Sequence, residues 1–224
     1  GITGVVDATS KLLGKFCSSA STSPAGAGGV DRFLDASEVS TIMACMKNPP
    51  GAVAGLEYTQ LGGAAAVTRH LPRKVGDPAR IRKGAELVVV YVTDETSQGV
   101  KSALSMGAPQ QCSLGGADKV ALAKAIQQEL AMYAGTPDPE TAATVHMIGG
   151  LCKNSCNAEI GHGMIEIAGA TGGLTLDVCA PDLKPAVKKI IDALGAAPPP
   201  PPPPPAAMAL DLVLVVDESG SMMD

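Results

Sequence analysis

Two runs of sequence limit what this chain can fold into more than any other feature. Glu86-Leu-Val-Val-Val-Tyr-Val-Thr93 and Leu210-Asp-Leu-Val-Leu-Val-Val216 are apolar at nearly consecutive positions, not at alternate ones. Successive side chains of a strand point to opposite faces, so such a run is buried only where both faces are covered. The first run therefore predicts a central strand in a mostly parallel sheet, and the second predicts one more buried strand.

The segments between them alternate in type. Residues 2–6, 30–34, 144–148 and 174–178 read as short strands. Residues 37–46, 58–71, 118–134, 158–170 and 182–194 read as helices. In the first of these, Val39, Ile42, Met43 and Met46 recur at helical spacing. Gly135 closes the helix 118–134. Asp182 caps the last helix, Pro185 is tolerated in its first turn and Gly195 follows it. Strands alternating with helices imply a doubly wound α/β sheet flanked by helices. Hydrophobic residues make up 46% of the chain and aromatics only 2%, so the core must be aliphatic.

The net charge of −5 lacks the basic footprint of a nucleic-acid binder. Residues 69–83 carry six Lys or Arg, but Asp77 and two prolines interrupt them, and they read as a solvated connection. No apolar run is long enough to span a membrane. The start, Gly1-Ile-Thr-Gly, resembles neither a signal peptide nor a Met start, which suggests a piece of something longer or a processed product. Cys17, Cys45, Cys112, Cys152, Cys156 and Cys179 form an even set in loop-like positions, which favours disulfides and an extracellular, periplasmic or cell-surface setting.

Eight prolines, residues 198–205, form a semi-rigid spacer of roughly 25 Å, at about 3.1 Å per residue. They divide an α/β body, residues 1–197, from a tail, residues 206–224. The tail strand runs directly into Asp217-Glu-Ser219-Gly-Ser221. An Asp and two hydroxyls at alternate positions offer only oxygen ligands, which suits a hard cation such as Mg²⁺ that keeps part of its water shell. Ligands of open α/β sheets bind beyond the carboxyl ends of the strands, where this loop lies. Gly220 lets the loop turn tightly.

With its apolar strand before it and Met222 after it, this motif resembles the metal-ion-dependent adhesion site of von Willebrand factor A-type domains. Val90-Tyr-Val-Thr-Asp94-Glu is similar to the family's fourth strand, which ends in a metal-site Asp. Gly169-Ala-Thr-Gly-Gly-Leu-Thr-Leu-Asp177 resembles the passage from helix to last strand, and the final helix fits as well. The likeness covers most of residues 30–224. It implies that Asp217, Ser219 and Ser221 form the first metal loop and Asp94 the third. Thr59 stands for the second loop, with Glu57 as the alternative. It further implies one Mg²⁺, or Mn²⁺ or Ca²⁺, presented to an exposed Asp or Glu of a protein partner, without catalysis.

The order departs from the family pattern. The metal-motif strand comes last, and the helix that should follow it is absent. Either the strand has been moved behind the last helix on its proline tether, or residues 206–224 open a further domain. A strand supplied by a neighbouring chain would make the protein an assembly subunit. Cys152-Lys-Asn-Ser-Cys156 could bind zinc with His146 or His162, but neither His spacing is a usual one and a disulfide-stabilised loop fits better. A metal-assisted hydrolase would need a general base beside the motif, and none is evident. A Ser/His/Asp triad lacks its Gly-x-Ser-x-Gly elbow.

Overall fold

A computed structural model of the chain describes residues 2–4, 16–17, 33–35, 37–47, 59–70, 74–77, 80–82, 85–134, 143–152, 155–195 and 210–216. Strands β1 (Ile2–Gly4), β2 (Glu86–Thr93), β3 (Ala143–Gly149), β4 (Thr175–Asp177) and β5 (Leu210–Val216) form one sheet in the order β1-β5-β2-β3-β4. Every pairing is parallel. Helices α1 (Val39–Lys47), α2 (Thr59–His70), α3 (Gln98–Lys101), α4 (Gly116–Ala134), α5 (Met164–Ala170) and α6 (Lys184–Gly195) complete the fold. It is an α/β architecture with an all-parallel sheet flanked by helices.

The continuous apolar runs are explained by the layers. Leu87, Val89 and Tyr91 of β2, with Val145 and Met147 of β3 and Val213 and Val215 of β5, pack against α2, α4 and α5. Val88 and Val90 of β2 and Ile148 of β3 point the other way, onto Ala186 and Ile190 of α6. Strands β2 and β3 are thus coated on two sides, as a parallel sheet requires. Strand β5, expected to be buried on both faces, is covered on only one along its first half, where Leu210 and Leu212 remain 40% exposed. Tyr91 donates its hydroxyl hydrogen bond to the buried carboxylate of Glu129 on α4. Gly63 of α2 makes room for that ring, because a Cβ there would collide with the phenol.

Strands β2 and β5 occupy the stretches expected from sequence, residue for residue. Helix α5 does not: the pattern predicts a helix from residue 158, and it begins at Met164. Residues 158–161 instead bond to neighbouring loops. Glu159 N–H donates to Asp94 O, Ile160 N–H to Pro109 O and Gly161 N–H to Gly150 O. Gly163, at φ +94°, then turns the chain into the helix, and the Glu166 carboxylate accepts its N–H at 2.6 Å. Phe33 and Leu34, expected at the end of a strand, have no regular structure, and residues 30–32 lie outside the described residues. The spacer 198–205 and the motif 217–224 lie outside them as well.

All six cysteines pair: Cys17–Cys45, Cys112–Cys152 and Cys156–Cys179. This leaves Cys152 and Cys156 no thiolate for zinc, and it fits an oxidising environment. Two of the bridges staple the loops that leave β3 and β4.

One ion pair, with its carboxylate buried and its guanidinium half-exposed, holds the tail strand to the body. Asp211, 3% exposed on β5, accepts hydrogen bonds from Arg82 N–H at 2.6 Å, from its Nε at 2.9 Å and from its Nη2 at 2.6 Å. The same Nη2 also donates to Leu210 O at 2.8 Å. Breaking a buried pair by removing one partner costs about 3–5 kcal/mol, because the other charge is left without compensation. Arg82→Ala is expected to lower stability by about 3 kcal/mol in urea unfolding, the lower end because the guanidinium lies partly in water. It should also speed limited proteolysis between the body and residues 210–216, whereas Asp211→Asn should cost less.

His146 of β3 is buried on the α6 face. Its Nδ1 accepts Leu174 N–H at 3.0 Å, and its Nε2 has no hydrogen-bond partner among the described residues. Desolvation by burial holds its pKa below the ordinary 6.5. The folded chain therefore binds fewer protons than the unfolded chain just below that value. The stability this neutral ring contributes is complete above about pH 6.5 and is lost as pH falls through the folded pKa. Urea midpoints should decline as pH is lowered from about 7 to about 5, with a shallower decline in His146→Gln.

Candidate functional site

The carboxyl edge of the sheet is where the sequence places its chemistry. Strand β2 ends there at Thr93, followed by Asp94, which is 8% exposed. The Thr93 hydroxyl donates to Glu95 O at 3.3 Å and accepts Glu95 N–H at 3.1 Å, bending the chain just past the strand. The Asp94 carbonyl takes the Glu159 N–H at 2.8 Å. The Thr93 hydroxyl and the Asp94 carbonyl thus fix the turn that carries Asp94.

Glu159 braces this edge. Its carboxylate accepts Thr96 N–H at 3.2 Å and Gln110 Nε2 at 3.2 Å, and it lies 2.6 Å from Lys101 Nζ. Thr96, itself buried, donates its hydroxyl to Ile160 O at 2.6 Å. Gly150 allows this strap to lie close, since a Cβ there would strike Glu159 O. Sequence reading did not select Glu159, Thr96 or Lys101. They come from segments about sixty positions apart, and no local spacing signals their meeting.

Thr59 is the first residue of α2. The other end of that helix, His70, accepts Ile81 N–H through its carbonyl, one residue from the Arg82 that grips the amino end of β5. Gly63, one turn in from Thr59, meets Tyr91 near the carboxyl end of β2. The helix therefore runs antiparallel to the strands, and Thr59 starts it toward the same edge as Asp94. Asp217, Ser219, Ser221 and Glu57 lie outside the described residues. Among the described residues, no three His, Cys, Asp or Glu side chains gather as a metal-binding group. The edge brings Asp94 and the start of α2 to one side of the sheet, and its candidate donors are all oxygen atoms, the type a hard cation takes.

A second crevice of about 450 Å³ lies between α4 and α5, beside the Cys112–Cys152 bridge. His162 Nε2 donates to Gln111 O at 3.1 Å, and its Nδ1 is 3.7 Å from the Glu166 carboxylate. Burial works against the charged form of Glu166, but the nearby His162 ring and the hydrogen bond from Gly163 N–H outweigh it and hold the carboxyl below its ordinary range.

No family model, curated protein or solved structure matches this chain.

Glu159→Ala is expected to remove about 1–3 kcal/mol of stability, the cost of leaving its donors unmatched. Amide exchange should quicken at Thr96 while β2 itself stays protected, since the ladder bonds of the strand do not depend on that carboxylate.

Proposed function

We propose that this protein is a non-enzymatic binding module that presents one divalent cation, Mg²⁺ by preference, to an acidic residue of a protein partner. The reading rests on one observation. Strands β2 and β5 run parallel with Val92 opposite Val216. Asp94 is two residues past Val92 and Asp217 is one past Val216. In sequence, Asp94 and Asp217 thus follow the ends of two adjacent parallel strands, on the side where ligands of open parallel sheets bind.

In this reading Asp217, Ser219 and Ser221 hold the ion, joined by Asp94 and by Thr59 at the start of α2. When bound, the ion supplies an open coordination position that a partner's Asp or Glu completes. The protein's own part is to fix the donors. The Glu159 brace keeps the turn after β2 in place, and the disulfides keep the loops after β3 and β4 from intruding. The three bridges support placing the module at a cell surface or in an extracellular or periplasmic space. No described helix is long and apolar enough to cross a membrane.

A second reading also has an observation in its favour. The last strand of the chain pairs on both sides, with β1 and with β2. A strand with that position can be donated to a neighbour, which would make the protein an assembly subunit joined by strand exchange.

Calorimetric titration of Mg²⁺ and Mn²⁺ into the chain separates these readings. Saturable binding of one ion is expected, weakened at least about tenfold, or about 1.4 kcal/mol, in Asp217→Ala and in Asp94→Ala. Binding that survives both substitutions would sink the metal reading. Light scattering that shows mass growing with concentration, without metal binding, would favour strand exchange.

A further inference from the structure

A groove of about 750 Å³ opens at the opposite end of β5 from the metal motif. Its floor is the even-numbered face of that strand, Leu210, Leu212 and Leu214, and Phe33, Leu34 and Ile42 form one wall. Leu210 and Leu212 remain 40% exposed although their strand is paired on both sides. Elsewhere the same sheet face is covered by α6. The volume and the apolar lining are those of a small-molecule pocket, which is typically about 300–1,000 Å³ with a few fixed polar groups.

Five charged residues line it: Asp35, Asp77, Arg80, Arg82 and Asp211. Arg82 is spent on Asp211 and Leu210 O. The Asp35 carboxylate takes the N–H and hydroxyl of Ser37 at 2.9 Å and 2.6 Å, and these bonds hold its pKa below the ordinary value. Arg80 is different. Its Nε is enclosed and has no hydrogen-bond partner among the described residues. A buried guanidinium nitrogen without an acceptor is costly, and the acceptor that suits it best is a carboxylate.

We propose that this groove binds a medium-chain monocarboxylate. The alkyl chain lies along Leu210, Leu212 and Ile42, and the carboxylate accepts from Arg80. Charge complementarity selects the head group: one cation lacks a partner, while Asp35 and Asp77 oppose a second negative charge on the ligand. The site is separate from the proposed cation site. Val216 is six residue steps along the strand from Leu210, roughly 20 Å at about 3.3 Å per residue.

The test uses the whole chain and two probes, decanoate below its micelle concentration and decanol, titrated by calorimetry. Decanoate is expected to bind saturably at one site. Arg80→Met, which keeps the apolar stem and removes the guanidinium, should raise the decanoate Kd at least about tenfold, the effect of one charge-assisted hydrogen bond, and leave decanol unchanged. Leu212→Gln, at an exposed position, should weaken both probes. Thermal unfolding of each variant shows that it remains folded. The proposal is overturned if decanoate shows no saturable binding, or if Arg80→Met weakens decanol as much as decanoate. It is equally overturned if the chain sediments as a dimer that excludes decanoate, which would assign the groove to a second copy.

Discussion

Everything in this structure depends on how β5 is held. An interior strand of a parallel sheet must satisfy its backbone groups along both edges, and β5 does so against β1 on one side and β2 on the other. Hydrogen bonds alone would not fix its register, because a ladder shifted by one residue satisfies as many groups. Side-chain parity fixes it. Val213 and Val215 must face α2 and α4, and a one-residue slip would turn them toward the thinner layer. Asp211 shares their parity and meets Arg82 only in the observed register. The ion pair thus acts as a pin, and a misregistered strand would carry an uncompensated carboxylate into the core.

Register at the amino end decides what arrives at the carboxyl end. Because Glu86 stands opposite Leu210, Val92 stands opposite Val216, and the two strands end side by side. The edge that receives them is stiffened from outside the sheet. The strap of residues 158–161 bonds to the turns after β2 and β3, and disulfides close the loops beyond β3 and β4. This explains why a stretch with helical periodicity is not a helix from its first residue. A helix from residue 158 would forfeit the bonds to Asp94, Pro109 and Gly150, and Gly161 and Gly163 weaken it from within.

What could be read from the sequence follows from this. The bounds of β2 and β5 were legible to the residue, because a short run of consecutive apolar residues bounded by turn residues has few other comfortable conformations, although the burial expected on both faces of β5 fails at Leu210 and Leu212. The parallel α/β class followed from alternation. Asp94 was legible as the residue closing a buried strand. The brace of Glu159, Thr96 and Lys101 was not, since it exists only once the segment after β2 meets the strap of residues 158–161. Nor was the Asp211–Arg82 pin: a lone Asp at the start of a strand and one Arg among six basic residues look like solvated charges. The cysteine count implied bridges, but spacing alone cannot choose among pairings, and the choice came from which loops meet at the edge.

The two proposed sites share one strand, and that has a thermodynamic consequence. The groove takes its floor from the outward side chains of β5, and the cation loop continues from its last residue. A ligand at either place would bind only the chain with β5 docked, and would stabilise that form in proportion to the logarithm of its occupancy ratio. Each ligand would then raise the apparent affinity for the other without any altered contact between them, through the shared docking equilibrium alone. The size of that coupling is bounded by how often β5 is undocked. The pin at Arg82 and the two ladders make that fraction small in this chain, so coupling should be weak here. It should grow as the pin is weakened, because a rarer docked state leaves more for a ligand to restore. The residue pair that secures the fold would then also set how far the two ends of the strand act independently.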